Sequence, residues 1–116
     1  MTQEELASSC SGTLCVRLPS NAAIHAAYTS DMLSDVMAHA PENSALITIQ
    51  NHINTIAVST LAGIEIVVVC HNRDIPADML KSAEAEGVGI VTTPLSQFEA
   101  SCAIGLALSR ESKNNG

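Results

Sequence analysis

The sequence predicts an α/β fold in which a small, mostly parallel central sheet is flanked by helices, and three observations carry that expectation. From Ala45 onward, strand-like and helix-like segments alternate in a βαβαβα order. Val67-Val68-Val69 is an unbroken β-branched run, the pattern of a strand covered on both faces. The chain has no Trp, and its only aromatics are Tyr28 and Phe98, so the core has to be built from Ala, Val, Ile, Leu and Met. At 116 residues it suffices for one such core and is too short for two, so residues 1–116 are expected to form a single domain.

The elements follow in order. Thr2-Gln3-Glu4-Glu5 fits a capping box, in which Thr2 accepts from the Glu5 amide while the Glu5 carboxylate reaches back, and predicts a short helix to about Ser9. Residues 13–18 alternate as a strand does, and Pro19-Ser20-Asn21 marks a turn. Residues 24–28 read as a second short strand running into Thr29-Ser30-Asp31. Met32, Leu33, Val36 and Met37 then recur at helical spacing, giving a helix that ends near His39-Ala40-Pro41. Beyond an Asn43-Ser44 loop come three strand-helix units. Their strands are residues 45–49, 64–70 and 89–92, and their helices run to about Ala62, from Pro76 to Glu86, and from Pro94 to about Arg110.

Local chemistry supports each unit. Pro76 and Pro94 suit a first helical turn, Gly63 and Gly87 suit helix ends, and Ser96-x-x-Glu99 is a second capping box. Right-handed crossovers make the three strands parallel. The polar tail at residues 112–116 is expected to fray.

The formal net charge is −7, with Arg17, Arg73, Lys81, Arg110 and Lys113 as the only strong cations and no two of them adjacent. A nucleic-acid groove needs clustered cations and stacking aromatics, and both are missing; an anionic membrane is no better a partner. No secretory segment and no apolar run of spanning length is evident, so a cytoplasmic chain with reduced thiols is expected. Cys10 and Cys15 form C-x4-C, at most half of a metal or cluster site. Zinc and iron-sulfur centres want four ligands and usually a tighter C-x-x-C pair, so no metal cofactor is expected. Whether Cys10, Cys15, Cys70 or Cys102 binds a metal is left open at this point.

Parallel neighbouring strands bring their carboxyl ends to one edge, where open α/β sheets bind ligands. The candidate ligand-binding residues falling there are Asn51, His52, Asn54, Cys70, His71, Asn72, Arg73 and Thr92, with Asp31 joining from the earlier strand. Helix amino termini at that edge offer free N–H groups and a positive dipole end, and Arg73 is the one strong cation placed to add a charge-assisted contact. A small anionic ligand, nucleotides included, fits such a rim. The competing reading is structural: the asparagines cap and turn, His71 bonds a carbonyl, and Cys70 is a small buried hydrophobe. His52 and His71 could instead ligate a metal with Cys70 or Asp31, but no H-x-x-x-H or H-E-x-x-H spacing supports this.

Enzymatic signatures are missing. There is no G-x-x-x-x-G-K-[ST] phosphate loop, no G-x-G-x-x-G after a strand and no G-x-S-x-G elbow. The remaining enzymatic alternative is a Cys70 nucleophile with His52 as its base.

Three stretches carry a family resemblance. Residues 30–37 (SDMLSDVM), residues 48–58 (TIQNHINTIAV), and the pair formed by residues 67–72 with Pro76 and the closing residues 92–98 resemble the DRTGG domain family over about residues 23–108. Where other members carry an Asp-Arg pair this chain has Asn51-His52, and where they carry Thr-Gly-Gly it has Cys70-His71-Asn72. The resemblance is therefore to the short, stand-alone branch.

It implies a fold similar to the amino-terminal domain of HPr kinase and a non-catalytic regulatory or ligand-sensing role, often as a homodimer. Relatives sit beside CBS domains in regulated pyrophosphatases. Short members encoded near iron-only hydrogenase genes imply the alternative of an accessory protein for hydrogenase or other metallocluster chemistry. The Met- and Ala-rich residues 30–40 add a second reason to expect a homodimer, through the helix that they form.

Overall fold

A computed structural model describes the backbone of residues 1–114 and the side chains of residues 1–111. Its elements are α1 (Gln3–Ser9), β1 (Thr13–Val16), β2 (Ala26–Thr29), α2 (Leu33–His39), β3 (Ser44–Thr48), α3 (Ile53–Ala62), β4 (Ile64–Val69), α4 (Ala77–Glu86), β5 (Gly89–Thr92) and α5 (Gln97–Asn114). The five strands form one sheet in the order β1-β5-β4-β3-β2. β2, β3, β4 and β5 run parallel, and β1 closes the far edge antiparallel to β5.

The period-2 alternation of strand side chains divides the core into two layers. Ala45, Ile47, Ile66, Val68 and Val91 pack with Leu6, Ala100 and Ile104, on the side of α1 and α5. Leu46, Val67, Val69 and Ile90 pack with Val36, Ile56, Met79 and Ala83, on the side of α2, α3 and α4. Because both faces are covered, β3 has no exposed residue and β4 has only one that is even half-buried, which is why their sequences read as continuous apolar runs. With so few aromatics, close approach replaces bulk. A Cβ added at Gly89 would lie 2.9 Å from Ile66 Cδ1, so the smallest residue lets β5 seat against β4.

Element boundaries move where tertiary contacts intervene. β2 begins at Ala26 instead of Ile24, whose amide donates to Met1 O at 2.8 Å while its side chain is fully buried. Ser44 joins β3 instead of the preceding loop, its hydroxyl satisfied by Pro41 O at 2.7 Å. Pro76 caps α4 from just outside it, and Pro94 precedes α5, which starts at Gln97 with Ser96 and Glu99 forming its capping box. The tail expected to fray instead continues α5 to Asn114, and residues 115–116 lie outside the described residues. Gly63 ends α3 at φ 77°, in the left-handed region that side chains avoid.

β1 carries one irregularity. Leu14 pairs with Val91 and Val16 with Ile90, so Cys15 is the residue of a bulge. Leu14 consequently packs toward the first layer and Val16 is buried in the second, while the Cys15 thiol is left exposed.

Candidate ligand cleft at the carboxyl rim of the sheet

The loops after β2, β3, β4 and β5 all open on the carboxyl edge, and the rim they build has two unlike halves. The first half is organised by Asp31. Its Oδ1 accepts from Thr48 Oγ1 and the Ile49 amide, both at 3.0 Å, and from Gln97 Nε2 at 2.9 Å. Its carbonyl accepts from Gln50 Nε2 at 2.7 Å. Gln50 Oε1 in turn lies 2.9 Å from His52 Nε2; a carbonyl oxygen only accepts, so this ring nitrogen carries the hydrogen. Asp31 thus ties the loop after β2 to β3 and α5 and has one carboxylate oxygen occupied from within.

In the second half, the loop after β4 turns through two consecutive left-handed residues, His71 at φ 61° and Asn72 at φ 52°. Asn and His tolerate that conformation better than most side chains, at a cost of roughly 1–2 kcal/mol each. Two backbone bonds hold it: the His71 amide donates to Leu95 O at 3.0 Å and the Asn72 amide to Thr93 O at 2.9 Å. Thr93 is itself fully buried, its hydroxyl donating to Cys10 O at 2.6 Å. Asn51 Nδ2 donates to Asp74 O at 2.8 Å and links the β3–α3 loop to the same turn.

This turn walls a cleft of about 370 Å³ lined by Cys15, Asn72, Arg73, Asp74, Ile75, Leu80 and Thr92. Its volume lies at the small end of ligand-binding cavities. Of the nine residues expected at the site, Asn72, Arg73 and Thr92 are brought together in it. Asn51 borders it through the Asp74 carbonyl, while Asp31 and His52 belong to the other half and Asn54 stands exposed on the first turn of α3. His71 contributes the turn and does not line the cleft. Cys70 is corrected outright: its side chain is fully buried in the first core layer and does not reach the rim.

That burial also decides the thiol chemistry. Loss of hydration pushes the Cys70 thiol up to about 11, with Cys10 and Asp31 nearby adding to the rise, and burial raises Cys10 as well. Burial disfavours the thiolate of both, which counts against the expectation of a Cys70 nucleophile. Cys10 and Cys15 are likewise divided, one buried and the other exposed. Among the described residues, no group of three or more His, Cys, Asp and Glu side chains is placed to hold a metal ion.

Cys15, Asp74, Ile75 and Leu80 are cleft residues that sequence reasoning missed. Ile75 and Leu80 flank and enter α4, where their apolar character is visible in the sequence. Cys15 is not legible in this way: its place depends on antiparallel pairing with a strand near the other end of the chain, where its Sγ meets Thr92 Oγ1 at 3.5 Å. A larger hollow of about 630 Å³ lies between α1 and α5, far from the strand ends. It is lined by three carboxylates, Glu4, Glu5 and Glu111, against one Arg110, so it is the weaker candidate for an anion despite its size.

The sheet order and the rim cleft define an open α/β module of the kind that places ligands at strand ends. Its fold is DRTGG-like. It is similar to the structure of the CBS and DRTGG domains of the regulatory region of Clostridium perfringens pyrophosphatase, complexed with its activator diadenosine tetraphosphate. The TM-score is 0.70 at 14% identity, covering 89% of this chain and 45% of that one. The chain therefore spans less than half the length of that structure. No protein-family model and no curated protein matches the sequence. Among the described residues, no helix is long and apolar enough to cross a membrane.

Proposed function

We propose that this chain is a non-catalytic regulatory module, one domain acting as a homodimer in the cytoplasm, that senses a small anionic ligand in the Arg73 cleft. The observation that carries the reading is the placement of Arg73: the one strong cation of the rim lies beside Asn72 and Thr92 in a cleft at the strand ends. Arg73 forms no ion pair among the described residues, so its charge is uncommitted. Ile75 and Leu80 supply an apolar wall suited to a ring or a base, and Asp74 limits how much negative charge the cleft tolerates. A mononucleotide or a single phosphate group fits that balance better than a long polyphosphate. The similar pyrophosphatase region, which binds a nucleotide activator, supports the class of ligand. The assignment to the short branch associated with iron-only hydrogenase, and the likeness to the amino-terminal domain of HPr kinase, rest on the motifs quoted from the sequence.

The test is a thermal-shift titration with inorganic phosphate, AMP, ADP and ATP against wild type and Arg73→Ala. At a hundred times Kd, a ligand stabilises by about 2.7 kcal/mol, or about 10 °C for a chain of this size. The proposal expects such a rise with at least one of these anions and its loss in Arg73→Ala. No rise with any of them, or a rise that Arg73→Ala leaves intact, would remove the ligand assignment.

A further inference from the structure

Helix α5 buries one side and leaves the other bare. Ala100 and Ile104 are fully buried, and Ala107 and Leu108 pack against the same layer. On the opposite side Phe98 is 77% exposed and Leu106 53% exposed, with Cys102, Gly105 and Ser109 exposed between and beyond them. At 3.6 residues per turn these five fall in one stripe, where a surface helix ordinarily presents charged residues. Phe98 is the chain's only phenylalanine, and the fold leaves it uncovered.

We propose that this stripe is the surface on which a second copy of the chain docks, with the two α5 helices antiparallel. The proposal rests on the homodimer reading above and adds the face. A two-fold axis between Cys102 and Gly105 sets Phe98 opposite Ser109 of the second copy. The largest side chain of the stripe then meets a small one, and Cys102 faces Gly105 at the crossing, where small residues let two helices approach closely.

The charges fit the same arrangement. Glu99 and Arg110 lie along one flank of the stripe, and in an antiparallel pair that flank faces its own copy. Glu99 then comes within two residues of the second copy's Arg110, an axial offset of about 3 Å that both side chains span easily. Arg110 forms no ion pair among the described residues, and Glu99 uses only Oε1 on the Ser96 amide. By contrast, α2 is a seven-residue helix whose exposed Met32 and Met37 have no complementary small residues or charges arranged in this way.

Sedimentation equilibrium on wild type, Gly105→Arg, Arg110→Glu and the Glu99→Arg/Arg110→Glu double variant tests the face. A Cβ at Gly105 meets nothing within 4 Å, so Gly105→Arg leaves the fold intact, checked by circular dichroism. Wild type is expected to dimerise, Gly105→Arg to raise the dissociation constant at least about tenfold, Arg110→Glu to raise it less, and the double variant to recover part of that loss. A wild-type dimer whose dissociation constant is unchanged in folded Gly105→Arg overturns the α5 face and leaves the homodimer reading standing. A wild-type monomer at high micromolar concentration overturns both.

Discussion

The two halves of the rim are built from the same kinds of residue and end in opposite states. Around Asp31, much of the polar capacity that sequence logic offers to a ligand is already spent on the fold, three donors converging on a single carboxylate oxygen. Around Arg73 the fold holds the turn mainly through its backbone, with Asn51 donating to the Asp74 carbonyl, and leaves the guanidinium free of any carboxylate among the described residues. A polar residue at a strand end is therefore a ligand candidate only after its internal partners have been counted, since buried polar groups are satisfied first.

The sharpest way to break this contrast is Asp31→Ala. It strands the buried Thr48 hydroxyl, the Ile49 amide and the Gln97 side chain, and is expected to cost about 3 kcal/mol of unfolding free energy in urea titrations. Binding of any anion found for the cleft should be unchanged in the folded fraction; a stable Asp31→Ala protein would erase the distinction between the halves. Asn72→Val comes next. A β-branched residue at φ 52° is expected to cost about 1–2 kcal/mol by the same measurement and to distort the cleft, so stability and binding fall together.

Arg73→Ala sharpens the comparison from the other side, with a stability change within about 0.5 kcal/mol and loss of the ligand-induced thermal shift. Thiol labelling separates surface from core. Cys15 is expected to react with an aromatic disulfide reagent in the native protein, Cys102 to react as readily only at concentrations where the chain is monomeric, and Cys10 and Cys70 only on unfolding. Four equally fast thiols would contradict the buried placement.

The smallest effect is the pH dependence set by Asp35, whose carboxylate accepts from Tyr28 Oη at 2.7 Å and lies 3.0 Å from His39 Nδ1. The Tyr28 hydrogen bond is the main cause that holds this carboxyl below its usual 3.8, with Ser30 and His39 contributing less. A folded-state value below the unfolded one contributes stability above about pH 4 that is lost as the pH falls through the folded value. Tyr28→Phe should flatten that part of the stability curve.

Much of the fold was legible because its information is local. The Val67-Val68-Val69 run, the helix-ending Gly63 and Gly87, and both capping boxes each act within a few residues, and each lies where the sequence puts it. What was hidden depends on pairing at long range. Nothing in residues 13–16 announces antiparallel pairing with β5, and nothing near Asp31 announces Gln97, 66 residues away. The rim was thus readable as a place, whereas its division into a committed half and an open half was not, because that division is set by which distant side chain arrives first at each polar atom.

The bulged first strand has a last consequence, for synthesis. Cys15 and Thr92 form facing parts of one cleft although 77 positions separate them. A nascent chain therefore has one wall waiting through most of translation and acquires the other only when its final strand emerges. The proposed cleft is therefore complete only once β5 is in place, and a fragment ending before β5, which loses the strand between β1 and β4 together with α5, is expected to remain unfolded and without affinity.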